Sequence, residues 1–387
     1  MYAKFTKNRL NCENMKHIDI STLDELKEAL YYDEVRNFIF RKLDFMPVEA
    51  MASKAVFKDC IFMGCYLSQD LYEKVQKDNL VISNLSATFR LPKRLYTARD
   101  LYEGYVQGKP ETFANTYDQR IYRHYISAGK EINSDSNIKE AMIRVLHDHS
   151  ITDFLHDFID SFDEKKIVGV MGGHGIERTA PSYMEIVRFS KVLTEKGYLL
   201  ISGGGPGAME ATHLGAWMAG RSEAETVDAV TMVSKAPSFR DEYWLDVAFQ
   251  VMEKYPQENG YVSLGIPTFL YGHEPATPFA THIAKYFENS IREDKILTIA
   301  KGGIVYTPGS AGTMQEIFQD ANQNHYQSFG YASPMVFLGR KFWTEEMPVI
   351  PLFEAMIANG RYKNLIISLV DGSDEAVEAI LDFTEEA

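Results

Sequence analysis

The chain has 387 residues, of which 45% are hydrophobic and 24% are charged, a composition typical of a folded globular protein rather than a disordered one. Its net charge of −14 disfavours a nucleic-acid-binding surface or an anionic membrane partner, because both bind basic surfaces. Three cysteines, Cys12, Cys60 and Cys65, are too few for a disulfide framework, which favours a reducing compartment.

The N-terminus lacks the apolar segment of a signal peptide, and no run of about eighteen uncharged apolar residues occurs in the sequence. We therefore expect a cytoplasmic protein that neither is exported nor spans a membrane.

In chain order, residues 1–92 form a region of weak periodicity. Two five-residue steps, Val56–Cys60 and Ile61–Cys65, resemble a fragment of a pentapeptide-type β coil. Two steps are too few to bury the faces of a solenoid, so we expect an accessory region of short β structure. Cys60 and Cys65 lack a second cysteine or histidine pair nearby, which disfavours a metal site.

Residues 93–160 carry apolar side chains at intervals of three and four, which predicts a helical segment. His147 and His149 lie two positions apart and would face different sides of a helix. A helical pair of metal ligands needs a spacing of four, so we expect no metal site here.

The region from residue 161 to 387 predicts a nucleotide-binding domain. A β-branched strand, Ile167–Met171, runs into Gly172-Gly173-His174, and an amphipathic helix follows. A second strand, Tyr198–Ile201, runs into the glycine loop 203–207 and another helix. Repetition of strand, glycine loop and helix predicts parallel strands joined by right-handed crossovers, hence an α/β fold with a Rossmann-like, doubly wound, mainly parallel sheet.

Two further segments follow. Val262–Pro267 predicts a strand, and the sequence after Tyr271 predicts a helix that contains His282 and Arg292. Ile304–Tyr306 predicts a buried strand that ends in a turn rich in small residues, followed by a helix with Glu316 in its second turn. Backbone N–H groups and the positive end of a helix suit a phosphate at that turn.

This turn resembles the PGGxGTxxE signature of the Lonely Guy (LOG) family of nucleotide phosphoribohydrolases, with Pro308, Gly309, Gly312, Thr313 and Glu316 in register. The loop from Gly203 to Met209 resembles the GGGxxGxM element of the same family. Ser310 departs from the signature, which has glycine there, and serine would keep the turn only if its φ is negative. The resemblance covers roughly residues 162–387, and the long N-terminal region resembles that of the larger bacterial members.

The resemblance implies hydrolysis of the N-glycosidic bond of a nucleoside 5′-monophosphate to free base and ribose 5-phosphate, with Arg292 and Glu316 as catalytic residues. The residues implied to bind phosphate and nucleotide are Gly309, Ser310, Ala311, Gly312, Thr313, Gly203, Gly204, Gly205, Gly207, Met209, Gly172, Gly173 and His174. Secondary candidates for contacts to base or ribose are Glu210, Glu274 and His282.

The resemblance implies no cofactor, and a homodimer or larger homo-oligomer as the assembly. Two alternatives stay open: a nucleotide sensor or carrier without turnover, and an enzyme specific for cytokinin riboside 5′-monophosphates. The presence of both Arg292 and Glu316 favours an enzyme, because a binding protein does not need a carboxylate beside C1′. A lysine decarboxylase is disfavoured, because no lysine lies in a context that suits a cofactor link.

Overall fold

The computed structural model describes residues 18–82, 89, 91–128, 138–257, 260–272 and 274–385. The chain divides into two compact units, Met1–Lys93 and Arg94–Ala387. The second unit contains the predicted nucleotide-binding domain, residues 161–387. It also contains the predicted helical segment, residues 93–160, except for Lys93, which belongs to the first unit. Cys12 lies outside the described residues.

The first unit is built from short strands and helices in alternation. Its elements are β1 (Ile18–Ile20), α1 (Leu23–Ala29), β2 (Glu34–Arg36), β3 (Phe38–Arg41), α2 (Glu49–Ala52), β4 (Val56–Lys58), β5 (Ile61–Met63), α3 (Gln69–Val75) and β6 (Leu80–Ile82). The parallel strands form two sheets, one in the order β1-β3-β5-β6 and one that pairs β2 with β4.

The repeat of this unit is about 20 residues long, since Ile18 pairs with Phe38, Ile39 with Ile61 and Ile61 with Leu80. The predicted five-residue step is seen locally, since β4 and β5 begin at Val56 and Ile61, five residues apart. The steps 56–60 and 61–65 contain two successive strands, β4 and β5, of one larger coil.

Residues in the left-handed region separate the successive strands of each coil. Asn37, between β2 and β3, has φ 60°, and Asp59, between β4 and β5, has φ 53°. Asn and Asp tolerate this conformation better than most residues, so the sequence suits these corners.

Phenylalanine rings form the core of the first unit. Phe40 lies with its ring centroid 4.9 Å from that of Phe62, 5.4 Å from that of Phe45 and 5.8 Å from that of Phe57. The four side chains are at most 4% exposed.

The second unit begins with helices and continues as alternating strands and helices. Its elements are α4 (Ala98–Leu101), α5 (Tyr117–Ser127), α6 (Ile138–Ile159), β7 (Ile167–Met171), α7 (Pro181–Glu195), β8 (Leu199–Ser202), α8 (Ala208–Trp217), α9 (Glu223–Val233), α10 (Trp244–Lys254), β9 (Ser263–Gly265), β10 (His282–Ile283), α11 (Asn289–Ile299), β11 (Ile304–Tyr306), α12 (Ala311–Tyr326), β12 (Pro334–Leu338), α13 (Val349–Ala358), β13 (Ile366–Val370) and α14 (Ser373–Glu385).

Seven parallel strands form one sheet in the order β10-β9-β8-β7-β11-β12-β13. The chain runs outward from β7 to β10, returns to place β11 beside β7, and then runs outward on the other side. Every residue of β7, β8, β11 and β12 is buried, as expected for central strands of a sheet covered on both faces. The predicted Rossmann-like α/β fold is confirmed.

The change of direction between β7 and β11 decides where a ligand fits. In open α/β sheets, ligands bind beyond the carboxyl ends of the strands at the point where the strand order reverses. The turns after β7 and β11 meet at this point, and the glycine loop after β8 lies next to them.

The helices of residues 94–160 belong to the second unit through buried polar contacts. Nζ of Lys285 donates to Oδ1 of Asp118 on α5 at 2.6 Å. The backbone N–H of Phe287 donates to Oδ1 of Asp148 on α6 at 2.9 Å. One predicted helix is wrong in its bounds: His282 lies on edge strand β10, and the helix that carries Arg292 begins only at Asn289.

Within the described part of the chain, no helix is both long and apolar enough to cross a bilayer. The same residues contain no group of three or more His, Cys, Asp or Glu side chains placed to hold a metal ion. The Cys60 thiol donates to the Val35 carbonyl at 3.3 Å, and the Cys65 thiol donates to the Phe40 carbonyl at 3.2 Å. Burial raises the pKa of each thiol to about 11, so both remain protonated.

Candidate functional site

A cavity of about 250 Å³ lies where the turns after β7, β8 and β11 meet. Helices α11 and α12, which pack against each other, supply further side chains. The cavity is lined by Val170, Met171, Gly172, Gly173, His174, Gly203, Met209, Tyr271, Glu274, Arg292, Glu293, Ser310, Gly312, Thr313 and Glu316.

The turn after β11 forms one end of this cavity. Ser310 precedes the first residue of α12 and has φ −122°, so the serine side chain is compatible with the turn. Its carbonyl accepts the N–H of Met314 at 3.1 Å, which starts the helix. The N–H groups of the first turn of α12 have no acceptor within the helix and can bind an anion.

Two backbone hydrogen bonds join the turns after β7 and β11. The N–H of Gly173 donates to the Pro308 carbonyl at 3.0 Å, and the N–H of Thr307 donates to the Met171 carbonyl at 2.8 Å. A Cβ on Gly172 would lie 1.8 Å from Oγ1 of Thr307. A side chain at position 172 would therefore overlap the Thr307 side chain, and glycine avoids this overlap.

The loop after β8 packs against Arg292. A Cβ on Gly203 would lie 2.3 Å from Nη2 of Arg292 and 2.6 Å from Sδ of Met209. Arg292 itself is held by its Nε, which donates to the Ile266 carbonyl at 3.0 Å. The guanidinium is thus held over the loop, and Arg292 lines the cavity.

Glu316 lies in the second turn of α12, as the sequence predicts. Burial, together with the negative charge of Glu293, raises the pKa of this carboxyl to about 7, and the positive charge of Arg292 opposes the rise. A carboxyl group that titrates near neutral pH can take up or release a proton under ordinary conditions.

Glu293 is a second carboxylate in the cavity and was not predicted. Oε1 of Glu293 accepts from the amide of Asn289 at 2.7 Å, and Oε2 accepts from the amide of Gln315 at 3.1 Å. It links α11 to α12 beside Arg292. Its position next to Arg292 in the sequence was the one signal that could have identified it. Tyr271 was also not predicted, because it lies in an irregular loop.

Asp320 is buried one helical turn beyond Glu316, at 3% exposure. The hydroxyl of Tyr306 donates to Oδ2 of Asp320 at 2.8 Å, which ties α12 to β11. Burial raises the pKa of this carboxyl to about 7, and the Tyr306 hydrogen bond opposes the rise. The contact fixes the helix that carries Glu316.

The structure brings most of the predicted residues together. Those that line the cavity are Gly172, Gly173, His174, Gly203, Met209, Glu274, Arg292, Ser310, Gly312, Thr313 and Glu316. The others in these turns, which are not among the lining residues, are Gly204, Gly205, Gly207, Gly309 and Ala311. Gly204 and Gly207 have φ 69° and 67°, so they shape the loop after β8.

Glu210 does not line this cavity. It is fully buried and accepts from Nε and Nη2 of Arg178 at 2.8 and 2.5 Å and from the hydroxyl of Tyr183 at 3.0 Å. A paired carboxylate of this kind ties α8 to the segment before α7 and has a structural role.

His282 lies away from the cavity. Its ring stacks on that of Phe158 at a centroid distance of 4.3 Å, and its Nδ1 lies 3.1 Å from Oγ1 of Thr281. Burial lowers the pKa of this imidazole. The prediction of His282 as a contact to the nucleotide therefore has no support in its position, because the expected helix is an edge strand here.

His147 is also a core residue. Its Nε2 lies 2.8 Å from the hydroxyl of Tyr96, and its Nδ1 lies 2.8 Å from Oδ1 of Asp148. His149, two positions on, is exposed and lies near Asp153. The two rings face different sides of α6, in agreement with the spacing argument.

No family profile matches the chain, and no curated protein matches it. Among solved structures, it is similar to the molybdenum cofactor binding protein of Rippkaea orientalis, with 13% identity and a TM-score of 0.34 over 56% of this chain and 96% of that one. The X-ray structure of TM1055 is 19% identical, with a TM-score of 0.35 over 56% and 98% of the two chains. The molybdenum cofactor carrier protein of Chlamydomonas reinhardtii is 15% identical, with a TM-score of 0.33 over 57% and 98%.

Proposed function

We propose that the chain hydrolyses the N-glycosidic bond of nucleoside 5′-monophosphates and releases the free base and ribose 5-phosphate. The observation that carries this proposal is that Arg292 and Glu316 line the same cavity as the turns after β7, β8 and β11. Donors that suit a phosphate and a carboxyl group whose pKa is raised to about 7 support this proposal, because both line one cavity.

The 5′-phosphate binds at the start of α12. Donors there are the free N–H groups of the first helical turn and the hydroxyls of Ser310 and Thr313, which line the cavity. The positive end of the α12 dipole and the Arg292 guanidinium supply the positive charge that the chain as a whole, at −14, lacks.

Cleavage of the glycosidic bond passes through a ribosyl cation, which a nearby carboxylate stabilises. Glu316 takes a proton from water as the water oxygen forms its bond to C1′. The bond between C1′ and the base nitrogen breaks, its electron pair stays on the base, and the base takes up a proton from solvent. General-base help of this kind is typically worth about 10² to 10⁴ in rate.

The test is product release from AMP, GMP, IMP, CMP and UMP, with free base and ribose 5-phosphate measured together. We expect the two products in equal amounts, and a loss of about 100-fold or more in Glu316→Gln, which retains nucleotide binding. Glu354→Gln is the matched control, because Glu354 is an exposed residue of α13.

The same measurement separates the alternatives. Binding of nucleotide without product in the wild type would identify a nucleotide-binding protein and overturn the proposal. The departure of Ser310 from the signature does not favour that outcome, since its φ is negative. An N6-prenylated AMP added to the panel tests the cytokinin-specific alternative: a strong preference for it over AMP would replace the broad substrate class.

A further inference from the structure

Helix α11, which carries Arg292 and Glu293, has no side-chain cap of its own. Its N-cap residue, Glu288, makes no side-chain hydrogen bond to the first turn, and the first turn contains no acidic residue. The third helical position, from which a capping-box Glu or Gln would reach back to the N-cap N–H, is Ile291. The N–H groups at this end therefore need acceptors from outside the helix.

Asp148 supplies such acceptors from α6. Its Oδ2 accepts from the N–H of Glu288 at 2.9 Å, and its Oδ1 and Oδ2 accept from the N–H of Phe287 at 2.9 and 3.1 Å. The carboxylate thus takes the place of the missing cap and puts a negative charge at the positive end of the α11 dipole. Asp148 is only 3% exposed, so water competes little for these donors.

Neighbouring polar groups hold Asp148 in turn. Nδ1 of His147 lies 2.8 Å from Oδ1 of Asp148, and because a carboxylate only accepts, this nitrogen carries the proton. Nε2 of the same ring lies 2.8 Å from the hydroxyl of Tyr96. The backbone of Tyr96 exchanges two hydrogen bonds with Ile283 on β10, at 2.8 and 2.9 Å. The carboxylate is therefore fixed relative to the strand that precedes α11.

One helical turn separates the capped N–H groups from Arg292. The N–H of Arg292 donates to the Glu288 carbonyl at 3.3 Å, which begins the hydrogen-bond series of α11. Nε of Arg292 donates to the Ile266 carbonyl at 3.0 Å, and the side chain lines the cavity. A shift of the first turn would therefore move the guanidinium away from both this carbonyl and the cavity.

We propose that Asp148 is a positioning residue that holds the first turn of α11 and thereby keeps the Arg292 guanidinium in the cavity for the phosphate. This inference rests on the proposed function, because it uses the role of Arg292 in phosphate binding. It also gives the sequence His147-Asp148-His149 a role other than metal binding, since its central residue caps another helix.

The experiment is a double-mutant cycle between Asp148 and Arg292, with dissociation constants for AMP measured by calorimetry. All proteins carry Glu316→Gln, so that the ligand stays intact. We expect Asp148→Ala to weaken AMP binding about five- to tenfold, as loss of a helix cap typically does to the structure it supports, and to add nothing once Arg292→Gln is present. The control, Asp374→Ala, removes an exposed carboxylate from the first turn of α14 and should leave AMP binding unchanged.

Two further measurements detect the cap and the phosphate contact separately. Amide hydrogen exchange, resolved by residue, should be slow at Glu288 in the wild type and faster at Glu288 and Phe287 in Asp148→Ala. Binding of adenosine, which lacks the phosphate, should be the same in Asp148→Ala and in its parent. Asp148→Asn keeps one oxygen acceptor and loses the charge, so its AMP affinity should lie between those of the parent and Asp148→Ala.

Independent, additive losses in the cycle would show that Asp148 does not act through Arg292, and they overturn the inference. If Asp148→Ala does not fold, the cycle is run with Asp148→Asn, and fast exchange at Glu288 in the wild type overturns the inference without any variant. Additive losses together with product release in the wild type leave the proposed function standing. Coupled losses without product release have the opposite result: the proposed function fails, and the positioning of Arg292 by Asp148 stands.

Discussion

Glu316 combines two properties that a general base for this reaction needs. It lies in the cavity, and burial together with the charge of Glu293 raises its pKa to about 7 despite the nearby Arg292. A base with a pKa near the working pH is both largely deprotonated and strong enough to accept a proton from water.

The activity should therefore rise with pH. Since Glu316 acts in its deprotonated form, kcat/KM should increase about tenfold between pH 6 and pH 8 and reach a plateau above the pKa. A bound phosphate adds negative charge near Glu316, so the rise in kcat should lie at higher pH than the rise in kcat/KM. Steady-state rates with AMP across this range provide the check.

Glu293→Gln separates this explanation from a general effect of pH on the protein. Removal of the Glu293 charge should shift the rise in kcat/KM to lower pH, because that charge raises the pKa of Glu316. Asp294→Asn changes an exposed neighbour on the same helix and should leave the profile in place. A profile that is flat in the wild type, or that both variants shift equally, would contradict the role of Glu316 as base.

At the residue scale, the short motif at the start of α12 predicts where the candidate site residues lie, because their positions depend only on local backbone geometry. The positions of Gly309, Ser310, Thr313 and Glu316 relative to a helix start follow from the order of residues within one turn. For Glu293 the sequence offers only its position next to Arg292, because its place in the cavity depends on hydrogen bonds to Asn289 and Gln315, one of them on another helix.

At the element scale, the site depends on how closely two turns approach. The turns after β7 and β11 share hydrogen bonds, and their backbones meet at Gly172 and Thr307. Separation of the two turns would break these hydrogen bonds. The small residues here thus hold the start of α12 and its donors next to the β7 turn.

Gly172→Ala should disrupt this contact. The new Cβ would lie 1.8 Å from Oγ1 of Thr307, so the turns must separate, which should destabilise the protein by about 1 to 3 kcal/mol and lower kcat/KM. Gly175→Ala is the matched control in the same loop, because a Cβ there meets nothing within 4 Å. Urea unfolding and steady-state kinetics of both variants check this, and equal behaviour of the two would refute the packing argument.

Elements were predictable where the hydrophobic pattern was strong and local. Strands β7, β8 and β11, each followed by a glycine-containing turn, were identified from sequence and are confirmed. The segment around His282 is not a helix as predicted: it contains the edge strand β10, and the hydrogen bond from Lys285 to the distant Asp118 that holds it cannot be read from local sequence. The repeat of about 20 residues in the first unit escaped notice because helices separate its strands.

At the scale of the whole molecule, each unit has a core of its own. The first unit packs around the rings of Phe40, Phe45, Phe57 and Phe62. The second packs the apolar faces of its helices against β7, β8 and β11. Because the cores are separate, we expect a substitution that destabilises one unit to have a smaller effect on the free energy of unfolding of the other.

Phe62→Ala tests this independence. Loss of a fully buried ring should destabilise the first unit by about 3 to 5 kcal/mol. All three tryptophans, Trp217, Trp244 and Trp343, lie in the second unit, so their fluorescence reports that unit alone, whereas far-UV circular dichroism reports both.

We expect Phe62→Ala to move part of the dichroism transition to lower urea concentration and to leave the fluorescence midpoint in place. Phe189→Ala, which removes a fully buried ring from the second unit, should move the fluorescence midpoint. If Phe62→Ala instead shifts the fluorescence midpoint as far as it shifts the dichroism transition, the two units unfold together.

The strand order also determines when the site can form during synthesis. Thr307 bonds to Met171, 136 residues earlier in the chain, and β11 must insert beside β7 after the strands from β8 to β10 have been made. Until then, one edge of β7 has no neighbouring strand and is open to pairing with another chain. A nascent or refolding chain should thus acquire helices early, gain nucleotide binding late, and be most prone to aggregate in the interval between them.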